Sequence, residues 1–167
     1  MDSELSIRRI CLSDYEKVLQ MTNRLHEFHV SNRPDIYKHV DTTISAIDFK
    51  EIVNNPAYIA LIAEFKDQPA GYGISKIKNT PDDPLLVKHK TMYIDEIFVM
   101  LEYRGKYIGR QLLENLEIMG KELGIERIDL TVWSFNTEAI DFYSSFGMKE
   151  QRIILEKKLN ACKTTPK

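Results

Sequence analysis

Residues 97 to 113 have the sequence IFVMLEYRGKYIGRQLL, which predicts a β-strand, a tight turn and a helix in direct succession. The apolar run through Val99 predicts the end of the strand, and Gly105 marks the turn. An apolar stripe at helical spacing predicts the helix, with Gly124 as its C-terminal cap; the stripe consists of Ile108, Leu112, Leu116, Met119 and Leu123. A strand that leads into a helix is the first half of a crossover unit, so this segment decides the fold.

The turn between this strand and helix carries three cations, Arg104, Lys106 and Arg110. Backbone N–H groups at a helix N-terminus and the helix dipole both favour a bound anion, and these cations add to the positive charge. The turn therefore has the features of a cradle for a phosphorylated ligand. Residues 101 to 110 alone leave open the alternative of a solvated basic loop.

The periodicity of the remaining sequence predicts further elements on both sides of this segment. Upstream we expect a strand, a helix capped by Ser13 and Glu16, a second helix, a hairpin and a strand, over Leu5–Ile10, 13–29, 42–54, Tyr58–Glu64, Ala70–Lys78 and Thr91–Val99. Thr42 or Thr43 is expected to begin the second helix. Downstream we expect a strand, a short helix capped by Asn136 and ended by Gly147, a closing strand and a frayed tail, over 127–133, 136–147, 148–159 and 160–167.

This element order predicts an α+β fold in one domain of residues 1 to 167. The strands 91–99 and 127–133, with the helix between them, predict parallel neighbours and a ligand crevice at their carboxyl ends.

Composition excludes several classes of protein. The 23 Lys and Arg against 25 Asp and Glu give a net charge of -2, whereas a general nucleic-acid binder needs a surplus of cations. The longest apolar run, Tyr58–Ala63, is far shorter than the roughly 18 residues of a membrane span. The acidic start, Met1–Glu4, does not resemble a signal peptide, and two cysteines, Cys11 and Cys162, are too few for a disulfide framework. We expect a cytoplasmic protein that acts without a membrane, with the choice between monomer and homodimer open.

Two motifs of the chain resemble those of the GNAT superfamily of N-acetyltransferases. Residues 97 to 113 resemble its acetyl-CoA motif, Arg/Gln-x-x-Gly-x-Gly/Ala after a strand that ends in Val. Residues 136 to 148, NTEAIDFYSSFGM, resemble its second signature, Asn-x-x-Ala-x-x-(Phe/Leu)-Tyr-x-x-x-Gly-Phe. The resemblance covers about residues 58 to 155 closely. Tyr107 departs from it, because this residue stands where the first motif glycine usually lies. A side chain there should restrict backbone approach and any left-handed conformation, so we expect altered pyrophosphate geometry or weaker binding.

The resemblance implies a GNAT fold, with a mixed central sheet of about six or seven strands and about four helices. It implies acetyl-CoA as co-substrate, held where the strand through Val99 splays from the strand through Val132, and no metal. Main-chain groups of residues 97 to 99 would pair with the pantetheine arm and polarise the thioester carbonyl. The implied cofactor-binding residues are Ile97, Phe98, Val99, Arg104, Gly105, Lys106, Tyr107, Ile108, Gly109, Arg110, Asn136 and Tyr143.

Direct transfer of acetyl to an amine needs no enzyme nucleophile, but it needs a neutral amine. A carboxylate can take the proton, and the candidates are Asp95 and Glu96. Strand alternation predicts that Asp95 points with Ile97 and Glu96 with Ile94 and Phe98, so the two acids should not face the same site. The alternative is that both are solvated or salt-bridged strand residues. Tyr143 resembles the tyrosine that protonates the departing thiolate, with a core aromatic role as its alternative.

The stretch 94–105 also resembles the polyamine acetyltransferase branch, which implies that Asp95 contacts a small cationic amine. Further acceptor-side candidates are His26, His29, Arg33, Tyr37 and Trp133, although the first four also suit an exposed polar helix face and Trp133 a packing role. The two histidines are three residues apart instead of four, which disfavours a metal-binding helix motif. The leading prediction is an N-acetyltransferase that acts by direct attack in a ternary complex. The alternatives are a protein N-terminal or lysine acetyltransferase and a non-catalytic CoA-binding regulatory domain.

Overall fold

The computed structural model describes residues 4 to 159. The predicted frayed tail, residues 160 to 167, and Cys162 lie outside the described residues. The chain divides into two compact units, residues 1 to 131 and residues 132 to 167, and each is described by itself. The single domain and the cytoplasmic compartment stay predictions. Between residues 4 and 159, no helix is long and apolar enough to cross a membrane.

The first unit contains one mixed sheet, and with its helices it confirms the predicted α+β class. Its five strands follow one another in space in chain order, namely β1 (Leu5–Arg9), β2 (Tyr58–Phe65), β3 (Gln68–Asn79), β4 (Lys90–Val99) and β5 (Arg127–Leu130). The first three pairings are antiparallel and β4 pairs with β5 in parallel, as the crossover predicts. The sheet thus has fewer strands than the expected six or seven in the part of the chain that is described.

The predicted hairpin forms because its turn residues accept a left-handed backbone. Lys66 and Asp67 join β2 to β3 with φ of 51° and 61°. Positive φ at both central residues is the two-residue turn whose twist matches that of the flanking strands. Aspartate at the second position tolerates this conformation because its side chain can bond the local backbone.

Four α-helices accompany the strands in residues 4 to 159, in agreement with the predicted number. They are α1 (Tyr15–Asn32), α2 (Ala46–Asn54) and α3 (Ile108–Glu122) in the first unit and α4 (Thr137–Ser145) in the second. The stripe of α3 is buried as predicted at Ile108, Leu112 and Leu116. Leu123 was also predicted to belong to this stripe, but it is 42% exposed because α3 ends at Glu122. Asn136 caps α4 as predicted, since its Oδ1 accepts a hydrogen bond of 3.2 Å from the Ala139 N–H.

Two predicted helix starts are wrong, because the N-cap residues are Asp14 and Ser45. The N-cap of α1 is Asp14, not Ser13, and its carboxylate accepts from the Cys11 N–H at 2.9 Å and from the Arg8 guanidinium at 2.7 and 2.8 Å. The second helix begins after Ser45, whose hydroxyl accepts from the Asp48 N–H at 3.1 Å. Thr43 does not cap this helix, because its hydroxyl bonds α1 side chains at 2.7 Å.

The sheet of the first unit is covered on both faces. Side chains of α1 and α2 pack on the face of Tyr72 and Ile74; this cluster contains Ile10, Val18, Met21, Phe49, Ala60, Ile62, Tyr72, Ile74 and Met100. Leu112 and Leu116 of α3 pack on the opposite face, beside Gly71 and Gly73. Gly71 allows β3 and β4 to approach, because a Cβ there would lie 2.7 Å from the Phe98 carbonyl oxygen.

The predicted closing strand over residues 148 to 159 is absent from the described structure. Ile153, Ile154 and Leu155 are 72%, 78% and 89% exposed. Because all three consecutive side chains are exposed, this stretch buries neither of the two faces that a strand presents. The strand predicted over 127–133 likewise stops at Leu130, and the hydroxyl of the next residue, Thr131, bonds the Tyr93 hydroxyl at 2.8 Å.

Candidate active site

A β-bulge in β4 determines where the two predicted acids lie. Ile94 pairs with Ser75 and Glu96 pairs with Ile74, so Asp95 is an extra residue without a partner position on β3. The extra residue breaks the period of two, which places Ile94 on the α3 face and Glu96 on the face covered by α1 and α2. The expectation that Glu96 points with Ile94 is therefore wrong.

Asp95 and Glu96 are electrostatic neighbours, contrary to the expected separation onto opposite faces. The Asp95 carboxylate raises the pKa of Glu96. Lys78 and Lys76 of β3, which lie on the same face of the sheet as Glu96, lower the pKa of Asp95. The bulge accounts for this arrangement, because the extra residue turns both acids toward the same side of the sheet.

Glu96 is largely buried and is bonded by a tyrosine that the sequence analysis did not identify. The Tyr72 hydroxyl donates to Glu96 Oε2 at 2.5 Å. Burial raises the pKa of Glu96, the bond from Tyr72 opposes that change, Asp95 raises the pKa further, and the charge of His26 lowers it. Burial, followed by the nearby Glu96 charge, raises the pKa of Tyr72 well above its ordinary value, so this phenol is a protonated donor at neutral pH.

Asp95 is more exposed than Glu96 and has cationic neighbours. Burial raises the pKa of Asp95, while Lys78 and then Lys76 lower it. Lys78 Nζ lies 3.5 Å from the centroid of the Tyr93 ring, and Lys76 Nζ lies 4.8 Å from that of Tyr58. These aromatic faces hold the two ammonium groups near Asp95.

Three of the predicted acceptor-side residues form one aromatic cluster at the C-terminal half of α1. The ring of Tyr37 stacks on His29 at 5.2 Å and meets His26 edge-on at 5.9 Å. Burial, and then the charge of His26, lowers the pKa of His29, so this imidazole is neutral near pH 7. The charge of His26 lowers the pKa of Glu96. The cluster thus lies on the side of the sheet that α1 covers and that carries the acids.

The other two acceptor-side candidates are Trp133 and Arg33, and the main chain of Arg33 bonds His29 and Tyr37 at the end of α1. Arg33 makes a two-point ion pair with Asp35, at 2.9 and 3.1 Å, and stays a predicted acceptor-side residue. Trp133 belongs to the second unit, where its ring stacks on Phe135 at 6.0 Å. Its acceptor-side role also stays a prediction.

The turn before α3 keeps the conformation of a glycine-containing loop despite Tyr107. Gly105 and Tyr107 have φ of 75° and 61°, so the side chain of Tyr107 does not prevent the left-handed conformation. Tyr107 is the N-cap of α3 and its side chain is 73% exposed, which leaves the ring outside the core. N–H groups in the first turn of a helix have no intrahelical acceptor, so those of Ile108 and Gly109 suit an anion.

The cations of this turn have partners in the described structure. Lys106 Nζ lies 4.9 Å from the centroid of the Phe65 ring, and Arg104 Nε donates to the Val99 carbonyl at 3.4 Å. Arg110 pairs with Glu114 one turn along α3, at 3.4 Å. All three charges nevertheless lie at the start of this helix, as the sequence predicts.

The ladder between β4 and β5 ends before β4 does. Thr91–Ile94 pair with Arg127–Leu130, whereas β3 pairs with β4 up to Val99. In the described residues, the edge of β4 at Ile97–Val99 therefore has no pairing with β5. An edge of this kind can pair with an extended ligand. This edge suits an extended chain and the start of α3 suits an anion.

A cleft of about 990 Å³ opens at the other end of the same two strands. Its lining includes Lys78, Tyr93, Arg127 and Asp129, near the amino ends of β4 and β5. The crevice predicted at the carboxyl ends is therefore a different region. Residues 4 to 159 contain no group of three or more His, Cys, Asp or Glu side chains that could hold a metal ion.

The second unit carries the remaining predicted catalytic residue. Tyr143 lies on α4 beside Phe142, whose ring centroid is 5.1 Å away. Burial raises the pKa of Tyr143 to about 12, so the phenol is protonated at neutral pH. Neither the catalytic nor the cofactor role of this residue follows from that geometry alone, and both stay predictions.

The acids and the histidine cluster could be found from motifs, but Tyr72 could not. Tyr72 sits in an apolar run of β3 that predicts only a buried strand. Its bond to Glu96 depends on the bulge, and the sequence analysis contains no signal for an extra residue at Asp95.

Comparison with known proteins places this geometry in a family. Residues 20–148 match the acetyltransferase (GNAT) family. Thialysine N-epsilon-acetyltransferase of Bos taurus is 25% identical over 152 residues, which cover 86% of this chain and 84% of that protein. The crystal structure of a mutant of the BH1408 protein from Bacillus halodurans has a TM-score of 0.88 and 31% identity, and the match covers 93% of this chain and 99% of that one.

A more distant structure shares the fold. The aminoglycoside N-acetyltransferase AAC(6')-Iy in complex with CoA has a TM-score of 0.73 and 18% identity, and the match covers 95% of this chain and 97% of that one. The family match spans well over half of the chain. The chain therefore belongs to the acetyltransferase (GNAT) family and is an enzyme of the acyl-CoA-dependent N-acetyltransferase class.

Proposed function

We propose that this enzyme transfers the acetyl group of acetyl-CoA to a primary amine by direct attack in a ternary complex. The observation that carries the proposal is the bulge at Asp95, which brings two carboxylates together on the side of the sheet that carries the histidine cluster. Family membership supports acetyl-CoA as the donor, and so does the CoA complex of the aminoglycoside acetyltransferase.

Glu96 is the proposed base. A lysine-like amine has a reference pKa of about 10.4, so it is mostly protonated near pH 7 and must lose a proton before it attacks. A base works best when its pKa lies near the working pH, and burial shifts the pKa of Glu96 in that direction. The amine nitrogen then forms a bond with the thioester carbonyl carbon, the carbon–sulfur bond breaks, and the amine proton goes to the carboxylate.

Asp95 and the histidine cluster are the proposed acceptor side. A carboxylate that stays charged attracts an ammonium group and holds the amine next to the base. The aromatic rings of His29 and Tyr37 supply a surface for the alkyl part of the acceptor. The acceptor is proposed to be a small cationic amine, and the name of the Bos taurus relative, a thialysine N-epsilon-acetyltransferase, supports this class.

The donor side is proposed from the edge of β4 and the start of α3. Main-chain groups of Ile97, Phe98 and Val99 would pair with the pantetheine arm. The turn would hold the pyrophosphate through Arg104, Gly105, Lys106, Tyr107, Ile108, Gly109 and Arg110. The motif resemblance supports Asn136 as a further contact and Tyr143 as the group that donates its proton to the departing thiolate. A neutral phenol is available for that step, because the pKa of Tyr143 is about 12.

A thiol-release assay with acetyl-CoA tests the proposed function. The acceptor panel contains polyamines, aminoglycosides, lysine-like and ornithine-like amino acids, and short peptides. We expect CoA release with at least one small amine, loss of most of it in Glu96→Gln, and little change in the exposed-loop variant Asp82→Asn. CoA release with peptides alone would favour a protein acetyltransferase. Release with no amine despite CoA binding would contradict the proposed function.

A further inference from the structure

Tyr72 is a polar residue at the centre of the core of the first unit. Its side chain is fully buried in the cluster that α1 and α2 cover, and its ring lies 6.1 Å from that of Phe98. A buried hydroxyl needs a hydrogen-bond partner, and a main-chain carbonyl would satisfy it at no electrostatic cost. The partner is instead the Glu96 carboxylate, at 2.5 Å from the hydroxyl.

The register explains how this bond forms. Tyr72 pairs across the sheet with Phe98, and Glu96 pairs with Ile74. Tyr72 and Glu96 are therefore diagonal neighbours on one face, a separation that long side chains can bridge. Without the bulge at Asp95, Glu96 would lie on the same face as Ile94 and not on the face of Tyr72. The bulge and the tyrosine together fix the place of the carboxylate.

We propose that Tyr72 is a positioning residue for acetyl transfer, which holds Oε2 of Glu96 so that Oε1 takes the proton of the acceptor amine. The inference rests on the proposed function. A carboxylate only accepts hydrogen bonds, so the phenol is the donor. A bond to one oxygen fixes the carboxylate rotamer and leaves the second oxygen to receive the proton.

The charged groups around Glu96 determine its pKa and hence the pH dependence of activity. Tyr72 faces Glu96 from β3, Asp95 from β4 and His26 from α1, while Lys76 and Lys78 act on Asp95. The bond from Tyr72 lowers the pKa of Glu96, so its removal lets the pKa rise. A base acts in its deprotonated form, so a higher pKa moves the acid limb of activity to higher pH.

The test is Tyr72→Phe, which keeps the ring and removes the hydroxyl. We expect the acid limb of kcat/KM to move upward by about one pH unit, since hydrogen bonds to charged groups shift the pKa of an acid by that order. Activity should then fall about tenfold below the limb, and above the limb it should stay lower than that of the parent enzyme because the carboxylate is no longer held. The effect should vanish in the Glu96→Gln background, because no carboxylate remains to be positioned.

Tyr15→Phe is the matched control. Tyr15 packs against the same core, and its hydroxyl donates to the Ile44 carbonyl at 3.1 Å, with no contact to Glu96 given by the structure. This variant loses a tyrosine hydroxyl bond of the same core, but its acid limb should stay in place. An equal shift in both variants, or an acid limb that does not move in Tyr72→Phe, would overturn the positioning role.

A second readout does not depend on turnover. The ¹³C shift of the Glu96 side-chain carboxyl should titrate at higher pH in Tyr72→Phe than in the parent, whichever amine is acetylated. An unmoved titration would overturn the inference. Failure of the parent to acetylate any amine contradicts the proposed function instead, so the two failures are distinguishable.

Discussion

Tyr107 holds a backbone conformation that usually belongs to glycine. Its φ of 61° costs about 1 to 2 kcal/mol for a residue with a Cβ, and its exposed ring offers little packing in return. Tyr107→Gly should therefore raise the free energy of unfolding by about 1 kcal/mol, after the greater flexibility of glycine in the unfolded chain is subtracted. Urea denaturation measures the change.

Gly105→Ala is the companion variant, because Gly105 has a φ of 75° in the same turn. It should lose about 1 kcal/mol of stability, and nothing within 4 Å would obstruct the added Cβ, so the loss would report backbone strain alone. Destabilisation by Tyr107→Gly would contradict the strain argument. It would indicate that the exposed ring contributes packing.

The bulge in β4 makes a prediction about the pair of acids that it brings together. The Asp95 charge raises the pKa of Glu96, so Asp95→Asn should lower that pKa and move the acid limb of kcat/KM to lower pH, by up to about one unit. This direction is opposite to that expected for Tyr72→Phe. Activity profiles of the two variants measure both shifts. Asp67→Asn, at the remote hairpin turn, is the control and should leave the acid limb where it is. Disappearance of the acid limb in Asp95→Asn would identify Asp95 as the base.

The junction of β1 and α1 depends on a buried carboxylate. Asp14 is 1% exposed, and its hydrogen bonds with Arg8 hold the pKa of that carboxyl well below its usual range. Asp14→Asn should cost about 2 kcal/mol at pH 7, a figure reduced from that of a fully buried pair because the Arg8 side chain is 39% exposed.

The sign of the pH dependence follows from the lowered pKa. The stabilisation is complete above the unfolded pKa of about 3.9 and is lost as pH falls toward the folded value. The stability difference between the parent and Asp14→Asn should thus shrink between about pH 5 and pH 2. Urea melts at several pH values measure it. Asp82→Asn, which breaks an exposed pair with Lys88, should cost less than about 1 kcal/mol, and a pH-independent difference for Asp14 would contradict this account.

At the scale of the whole molecule, local patterns predicted the elements because each element follows from its own residues. The first three residues of the α3 stripe, the cap at Asn136 and the hairpin turn are decided within a few neighbouring residues, and they are found where expected. The start of α2 was wrong because Thr22 and Asn23 of α1 bond the Thr43 hydroxyl. The start of α1 was wrong because Asp14, which Arg8 bonds from β1, is its N-cap. Such competition has no signal within one window of sequence.

The candidate site was predictable in composition but not in arrangement. Motif spacing identified Asp95 and Glu96, and strand alternation then assigned them to opposite sides. An extra residue in one strand reverses that assignment, and it becomes visible only when the pairing with β3 is known. Tyr72 was missed for the same reason, since its partner comes from a strand more than twenty residues away.

The separation of β4 and β5 leads to a prediction for the molecule as a whole. A ligand that binds only the folded chain stabilises it by about 2.7 kcal/mol at a hundredfold excess over Kd, which for a chain of 167 residues raises Tm by roughly 5 to 10 °C. The Met100 N–H bonds Ala70 of β3, so alternation points the N–H groups of Ile97 and Val99 away from β3. If the ligand pairs with this edge, hydrogen exchange of those two amides should slow by more than tenfold when CoA is added. The amides of Lys66 and Asp67, in the hairpin turn, should exchange unchanged. A rise in Tm with protection confined to other strands would mean that CoA binds elsewhere, because pairing with β4 cannot leave its amides open to solvent.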